Sequence, residues 1–260
     1  MKVSYETRGE GKNSIVFLHG IGSGKEGWAA QRSAIVDAGW RFVAIDAPGF
    51  GGTTLPDGPG FASHVEAIRI CLDELGINNA VLCGHSMGGM SAQEFVAAHS
   101  ERVSGLVLSG TSPAFGRPDG DFQKEFLRQR LEPFERGETM ASMAPAFASG
   151  LVGSNASDNA IAEIAAVMTD VPFPAYKLAL ETLSAFDQRA NLTNINVPVL
   201  VIAGDEDANA PAGMQHKMAQ KIPDADYVEL EKTGHMAPVE NTKEFNRELI
   251  KFLSRIAQTG

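Results

Sequence analysis

Long apolar runs are missing from this chain. Its apolar stretches, such as Val81 to Cys83 and Val199 to Ala203, are of strand length and stop at glycine, far short of the ~20 residues that a bilayer-spanning helix requires. No membrane partner is expected, and Met1 to Glu6 offers no apolar region of the signal-peptide kind. Cysteine is equally scarce. Cys71 and Cys83 are the only two, without CxxC spacing or neighbouring ligands, so a disulfide framework and a thiolate metal site are both excluded and a reducing cytoplasm fits. Positive charge is in deficit, with 22 Lys and Arg against 32 Asp and Glu and a net charge of −10. Nucleic acid is therefore not a partner, because binding it relies on clustered cations that displace counterions. What remains is an ordinary globular composition, 43% hydrophobic and 21% charged over 260 residues, enough for one large core.

The first half alternates two kinds of apolar pattern. Lys2 to Thr7 alternates in character and turns at Arg8-Gly9-Glu10-Gly11, which predicts a hairpin into the continuous run Ile15 to Leu18. Phe42 to Ile45, Ala80 to Cys83 and Val103 to Leu108 are further strand-like runs. Between them Val65, Ile68, Cys71, Leu72 and Leu75 recur at helical spacing, with Gly76 at the place of a left-handed C-cap. A second helix is expected after Gly89. Strand, helix, strand in succession implies a parallel sheet with helical crossovers.

The pattern changes at Pro113. From residue 113 to 190 no strand-like run occurs, and Phe122, Phe126, Met140, Met143, Phe147, Ile164, Met168 and Leu183 suggest several short helices. Strand signals return at Val199 to Ala203 and Asp226 to Leu230, and a last helix is expected from Thr242, as N-cap, toward Ile256. The expected organisation is a core of residues 1–112 and 191–260 with a helical insertion of 113–190. Within that insertion Arg117, Lys124, Arg128, Arg130 and Arg136 alternate with Asp119, Asp121, Glu125, Glu132 and Glu135. Such interspersion reads as a solvated, salt-bridged face rather than a clamp for a substrate carboxylate.

Gly84-His85-Ser86-Met87-Gly88 fits G-x-S-x-G and lies between an apolar strand and a helix. In that context the motif is a nucleophile elbow, a turn so tight that the residues two places either side of the serine must be small. Carboxylates follow the late strand in Gly204-Asp205-Glu206-Asp207, and Thr233-Gly234-His235 follows the next strand. Serine, acid and histidine thus come in the order the motif demands, each on a loop leaving the carboxyl end of a strand. His85 sits inside the elbow and is expected to pack. His19 is expected to shape the loop that it starts, and His64, His99 and His216 to lie on ordinary surfaces.

Leu18-His19-Gly20, Asp46-Ala47-Pro48-Gly49-Phe50-Gly51, the elbow, Gly204-x-Glu206-Asp207 with Pro211, and Gly234-His235 together resemble the α/β-hydrolase family over nearly the whole chain. The resemblance implies a mostly parallel sheet flanked by helices, with 113–190 as a helical cap that roofs the site and selects the substrate. It selects Asp207 over Asp205 as the acid, by the pattern G-x-x-D-x-x-x-P. It implies Ser86 as nucleophile, His235 as base, and an oxyanion hole made by the N–H groups of Ile21 and Met87. Within the family the chain is similar to 3-oxoadipate enol-lactonases and small bacterial esterases, which makes a small ester or lactone the expected substrate. Two alternatives stay open: a carbon–carbon hydrolase of meta-cleavage products, suggested by the Gly-rich stretch His19 to Trp28, and a receptor that binds and scarcely turns over. No cofactor or metal is expected, since no ligand cluster or dinucleotide fingerprint occurs. A homo-oligomer is compatible with the sequence.

Overall fold

Ser14 to Leu18 is apolar at four successive positions after its serine, as a strand must be when both its faces are covered. In the computed structural model, which describes residues 1–116 and 120–259, this segment is β2 (Ser14–Leu18), central in a sheet. The other strands are β1 (Tyr5–Arg8), β3 (Arg41–Ile45), β4 (Ala80–His85), β5 (Val103–Ser109), β6 (Val199–Gly204) and β7 (Ala225–Leu230). Among the described residues the order is β1-β3-β2-β4-β5-β6-β7. All neighbouring pairs are parallel except β1 on β3.

That exception corrects the expected hairpin. β1 pairs antiparallel with β3, Tyr5 opposite Ile45, because both edges of β2 are already taken by β3 and β4. The chain after Arg8 must therefore cross an intervening strand, which a tight turn cannot do.

Alternate residues of each strand feed two cores. Val16, Leu18, Val43 and Ile45 face α2 (Ala62–Glu74), α3 (Met87–Ala98) and α8 (Ala212–Ala219) through residues such as Ile68, Phe95 and Met218. Ile15, Phe17, Phe42 and Ala44 face α1 (Arg32–Asp37) and α10 (Thr242–Thr259) through Ile35, Phe245, Leu249 and Phe252. Cys71 lies in the first core and Cys83 in the second, both free and buried on opposite sides of the sheet. Gly76 ends α2 at φ +64° as expected. Thr242 does not cap α10; its hydroxyl donates instead to the carbonyls of Pro238 and Val239 in the one-turn helix α9 (Ala237–Glu240) that precedes it.

Between β5 and β6 the described residues form α4 (Asp121–Glu135), α5 (Met140–Leu151), α6 (Asp158–Thr169) and α7 (Phe173–Ser184). Their two connections to the sheet are joined by an isolated bridge between Ala114 and Asp187. A third apolar cluster packs Met140, Met143, Tyr176 and Leu180 of these helices onto Met87 and Met90 of α3. The insertion thus rests on the N-terminal turn of the helix that follows Ser86. Arg117 and Asp119 lie outside the described residues. No helix among the described residues is long and apolar enough to cross a membrane.

Candidate active site

Parallel strands end on one edge of a sheet, and here four of those ends carry the residues of interest. β2 leads into His19-Gly20-Ile21, β4 into Ser86, β6 into Asp207 and β7 into His235.

Ser86 sits between β4 and α3 with φ +54° and ψ −120°, a conformation that costs a non-glycine residue about 1–3 kcal/mol. Its neighbours make the turn sterically feasible. A Cβ on Gly84 would overlap the Gly88 carbonyl oxygen and lie 2.5 Å from Gly89 Cα, and one on Gly88 would overlap the Leu18 carbonyl. The main chain of Ser86 is held on both sides: its N–H donates to Ser109 O at 2.9 Å, and its carbonyl accepts from Gly89 N at 3.0 Å and Thr111 Oγ1 at 2.8 Å. The half-buried Oγ makes no protein hydrogen bond among the described residues.

Two backbone N–H groups, those of Met87 and Ile21, belong to the segments next to Ser86. Met87 opens α3, so its N–H has no partner within the helix and stands at the positive end of the dipole. Gly20 packs against Ser86; a Cβ there would be 3.0 Å from Ser86 Cβ and 3.5 Å from Oγ. His19 sets the orientation of the next peptide. Its Nδ1 donates to Gly20 O at 2.8 Å while Nε2 accepts from Ala47 N at 2.9 Å, and in a trans peptide the Ile21 N–H points opposite to that carbonyl. Burial holds the His19 pKa below its ordinary value, which keeps the ring neutral as this arrangement requires.

Asp207 and His235 meet at 2.9 Å, Oδ2 to Nδ1, and both are buried. The other carboxylate oxygen of Asp207 accepts from the N–H groups of Asn209 at 2.8 Å and Ala210 at 2.9 Å. Burial opposes ionisation of Asp207, but the hydrogen bond and charge of His235 and the two backbone donors outweigh it and hold the carboxyl below its usual pKa. With Nδ1 donating to the carboxylate, Nε2 of His235 is left as a proton acceptor. Asp205 is used differently, since its Oδ1 accepts from Thr233 N at 3.0 Å and anchors the loop that carries His235.

That loop is secured by residues that motif reading passes over. His85 donates through Nε2 to His235 O at 2.8 Å, its ring centroid 4.8 Å from that of His235. Burial pushes the His85 pKa down to about 3, so it stays a neutral strut. From the insertion, Leu151 O accepts from His235 N at 2.7 Å. Glu240 accepts from Gly234 N at 3.0 Å, Met236 N at 2.9 Å and Gly153 N at 2.6 Å, and Glu206 binds Ser154 N and Oγ at 2.5 and 2.7 Å. Burial and the charge of Asp207 raise the Glu240 pKa despite these three donors. No motif flags Leu151, Gly153 or Ser154, because their role depends on main-chain contacts with residues far along the chain.

His64 is also a correction. It lies on the buried face of α2, hydrogen-bonded to Ser91 Oγ at 2.9 Å, rather than on a surface. His216 is exposed and stacks on Tyr227, 4.6 Å between ring centroids. Among the described residues no group of three His, Cys, Asp or Glu side chains could hold a metal ion.

Residues 13–242 match the family model described as the alpha/beta hydrolase fold. The chain belongs to the α/β-hydrolase family. This α/β-hydrolase is 28% identical over 265 residues to the 2-hydroxy-6-oxononadienedioate/2-hydroxy-6-oxononatrienedioate hydrolase of Paraburkholderia phymatum, covering 98% of this chain and 92% of that one. Among solved structures it superposes with a TM-score of 0.87 on the enol-lactonase of Burkholderia xenovorans, at 27% identity over 97% of this chain and 96% of the other. A thermophilic esterase from Thermogutta terrifontis also superposes at 0.87, with 25% identity over 98% and 93% of the two chains. The α/β-hydrolase is therefore a hydrolase by kinship.

Proposed function

We propose that this hydrolase cleaves a carboxylic ester or lactone of a small molecule through an acyl-enzyme on Ser86. The observation that carries the reading is the buried Asp207–His235 pair at 2.9 Å, on the same sheet edge as a serine held at φ +54°. In the proposed cycle His235 Nε2 takes the Ser86 hydroxyl proton as Oγ attacks the substrate carbonyl carbon. Asp207 holds the tautomer and stabilises the imidazolium. The N–H groups of Ile21 and Met87 bind the oxyanion, and His235 then protonates the departing alkoxide. Water, deprotonated by His235, releases the acid and restores Ser86. The helical insertion of residues 113–190 serves as the cap that chooses the substrate, and the free, buried Cys71 and Cys83 suit a reducing cytoplasm.

Hydrolysis of p-nitrophenyl butyrate and of small lactones tests the reading. Ser86→Ala should lower kcat by about 10³-fold or more; equal rates in the two proteins would remove the assignment. The name of the Paraburkholderia relative favours a second reading, hydrolysis of a carbon–carbon bond in a vinylogous 1,5-diketone. Turnover of a ring-fission dienoate with negligible ester hydrolysis would decide for it. Labelling of Ser86 by a fluorophosphonate without steady-state turnover on either class would point to a receptor.

A further inference from the structure

Among the described residues the arginines of the insertion are paired, with one exception. Arg128 bridges Glu125 and Glu132 at 2.7 and 2.6 Å, and Arg136 bridges Glu132 and Glu138 at 3.0 and 3.4 Å. Arg130 is two positions from Arg128, yet among the described residues no carboxylate accepts from it. Helical periodicity accounts for the difference. Phe126, Arg130 and Phe134 are spaced by four and share one face of α4, and both phenylalanines pack on the apolar cluster that includes Tyr176 and Met87. The polar neighbours Lys124, Glu125, Arg128 and Gln129 are exposed.

Arg130 therefore turns inward. Its guanidinium carbon lies 4.0 Å above the Phe126 ring, and burial lowers its pKa. The face of a phenylalanine offsets part of the lost hydration of a cation but accepts none of its N–H donors. Tyr176 stands near enough for the arginine charge to pull against the rise in its own pKa that burial causes. The Tyr176 hydroxyl likewise has no hydrogen-bond partner among the described residues, although the side chain is only 2% exposed. A half-buried cation seated on Phe126 and a phenol, neither of them hydrogen-bonded within the described residues, lie at one apolar cluster that also holds Met87, the residue that follows Ser86. A guanidinium in such surroundings is matched by a carboxylate, which its fork can bind with two parallel hydrogen bonds.

Resting on the proposed ester or lactone hydrolysis, we propose that Arg130, assisted by the Tyr176 hydroxyl, binds a carboxylate on the substrate, so that the preferred substrates are anionic half-esters or lactones bearing a free acid. The sequence pattern alone suggests a solvated face for all the basic residues of α4. The structure withdraws Arg130 from that group.

The experiment compares the mono-p-nitrophenyl ester of glutaric acid with p-nitrophenyl butyrate. Wild type should favour the acid ester in kcat/KM, and Arg130→Met should reduce that preference about tenfold or more, through KM, as expected for a charge-assisted hydrogen bond. Arg130→Lys, which keeps the charge without the fork, should fall between them, and Arg128→Met on the exposed face should keep the preference. Loss of rate on both esters by the same factor in Arg130→Met, or no preference in wild type, would overturn the proposal. Because the variant can fail to fold, competitive inhibition of butyrate ester hydrolysis by glutarate, but not by 1,5-pentanediol, provides a second measurement on wild type. Should neither ester be turned over, the hydrolytic reading fails by itself. Calorimetric titration of glutarate then decides for Arg130 separately: binding to wild type that Arg130→Met abolishes supports it, and no binding refutes it.

Discussion

Ser86 shows how much a few side chains depend on the main chain beneath them. Its positive φ is maintained by hydrogen bonds to Ser109, Gly89 and Thr111, so the strain is held by contacts of the main chain and not by the hydroxyl. Asp207 is equally determined, since one oxygen is committed to the N–H groups of Asn209 and Ala210 and only the other reaches His235. In Asp207→Asn the amide oxygen must keep the two backbone donors, which turns the amide NH₂ toward His235 Nδ1. The imidazole then adopts the tautomer with its proton on Nε2 and cannot accept from Ser86. Ester hydrolysis should fall by about 10⁴-fold in kcat, with the circular dichroism spectrum unchanged. A fall of only a few-fold would show that His235 does not depend on this carboxylate. Ser86, Asp207 and His235 could be picked out in the sequence because the steric demands of the elbow leave a fixed spacing of glycines, and the strand context orders the rest. Arg130 and His64 could not. A charge on a helix and a histidine between apolar residues look the same in sequence whether they face solvent or core, and only the packing of Phe126, Phe134 and Ser91 decides.

The segment joining α5 to α6 is docked onto the His235 loop by backbone, and two glycines make this contact possible. A Cβ on Gly153 would lie 2.6 Å from Lys232 O and 2.7 Å from Gly234 N, and one on Gly234 would lie 2.5 Å from Gly153 N. Leu151 O, Glu240 and Glu206 then tie the two segments together. The insertion is thereby braced on the loop that orients His235, beyond being hinged at Ala114 and Asp187. Gly153→Ala should push this brace away and displace His235. A displacement of about 1 Å costs as much as 10²-fold in rate, together with a lower Tm. Gly150→Ala, where an added Cβ meets nothing within 4 Å, should keep activity and gain helix stability, by up to about 1 kcal/mol. Kinetics and thermal melts of the two variants check this, and similar behaviour of both would mean that the brace is slack. Strands and helices could be read because both have a local period. The pairing of β1 with β3 and the Gly153–Gly234 contact could not, since each joins segments distant in sequence whose meeting is decided by which strand edges and loop faces remain free.

Besides His235, three histidines are enclosed in the folded chain, and their burial makes the whole molecule sensitive to acid. His64 and His85 have pKa values lowered to about 3, and His19 is shifted in the same direction, in each case first by burial. An unfolded histidine titrates near 6.5. Between about pH 6.5 and 3 the unfolded chain therefore binds protons that the folded chain refuses, so stability falls as pH falls through this window. The slope is about 1.4 kcal/mol per pH unit for each fully titrating histidine. Asp46 and Asp207, whose folded pKa values are lowered, contribute stability that is present above their unfolded pKa near 4 and is lost only on going below it. Glu240, with a raised folded pKa, acts in the opposite sense to the histidines, since the folded chain takes up its proton first as pH falls. From pH 7 to 5 the histidines dominate. Urea unfolding should show a loss of about 2 kcal/mol for each of His64 and His85 between pH 6.5 and 5, and His64→Asn should shrink the difference between the two pH values by one such share. His64 is the informative choice, because its hydrogen-bonded neighbour is Ser91, whereas His85 touches His235 and His19 holds the Gly20 peptide. If the acid-induced loss is the same with and without His64, its ring must be able to accept a proton in place, and the loss between pH 6.5 and 5 then originates in His19 and His85.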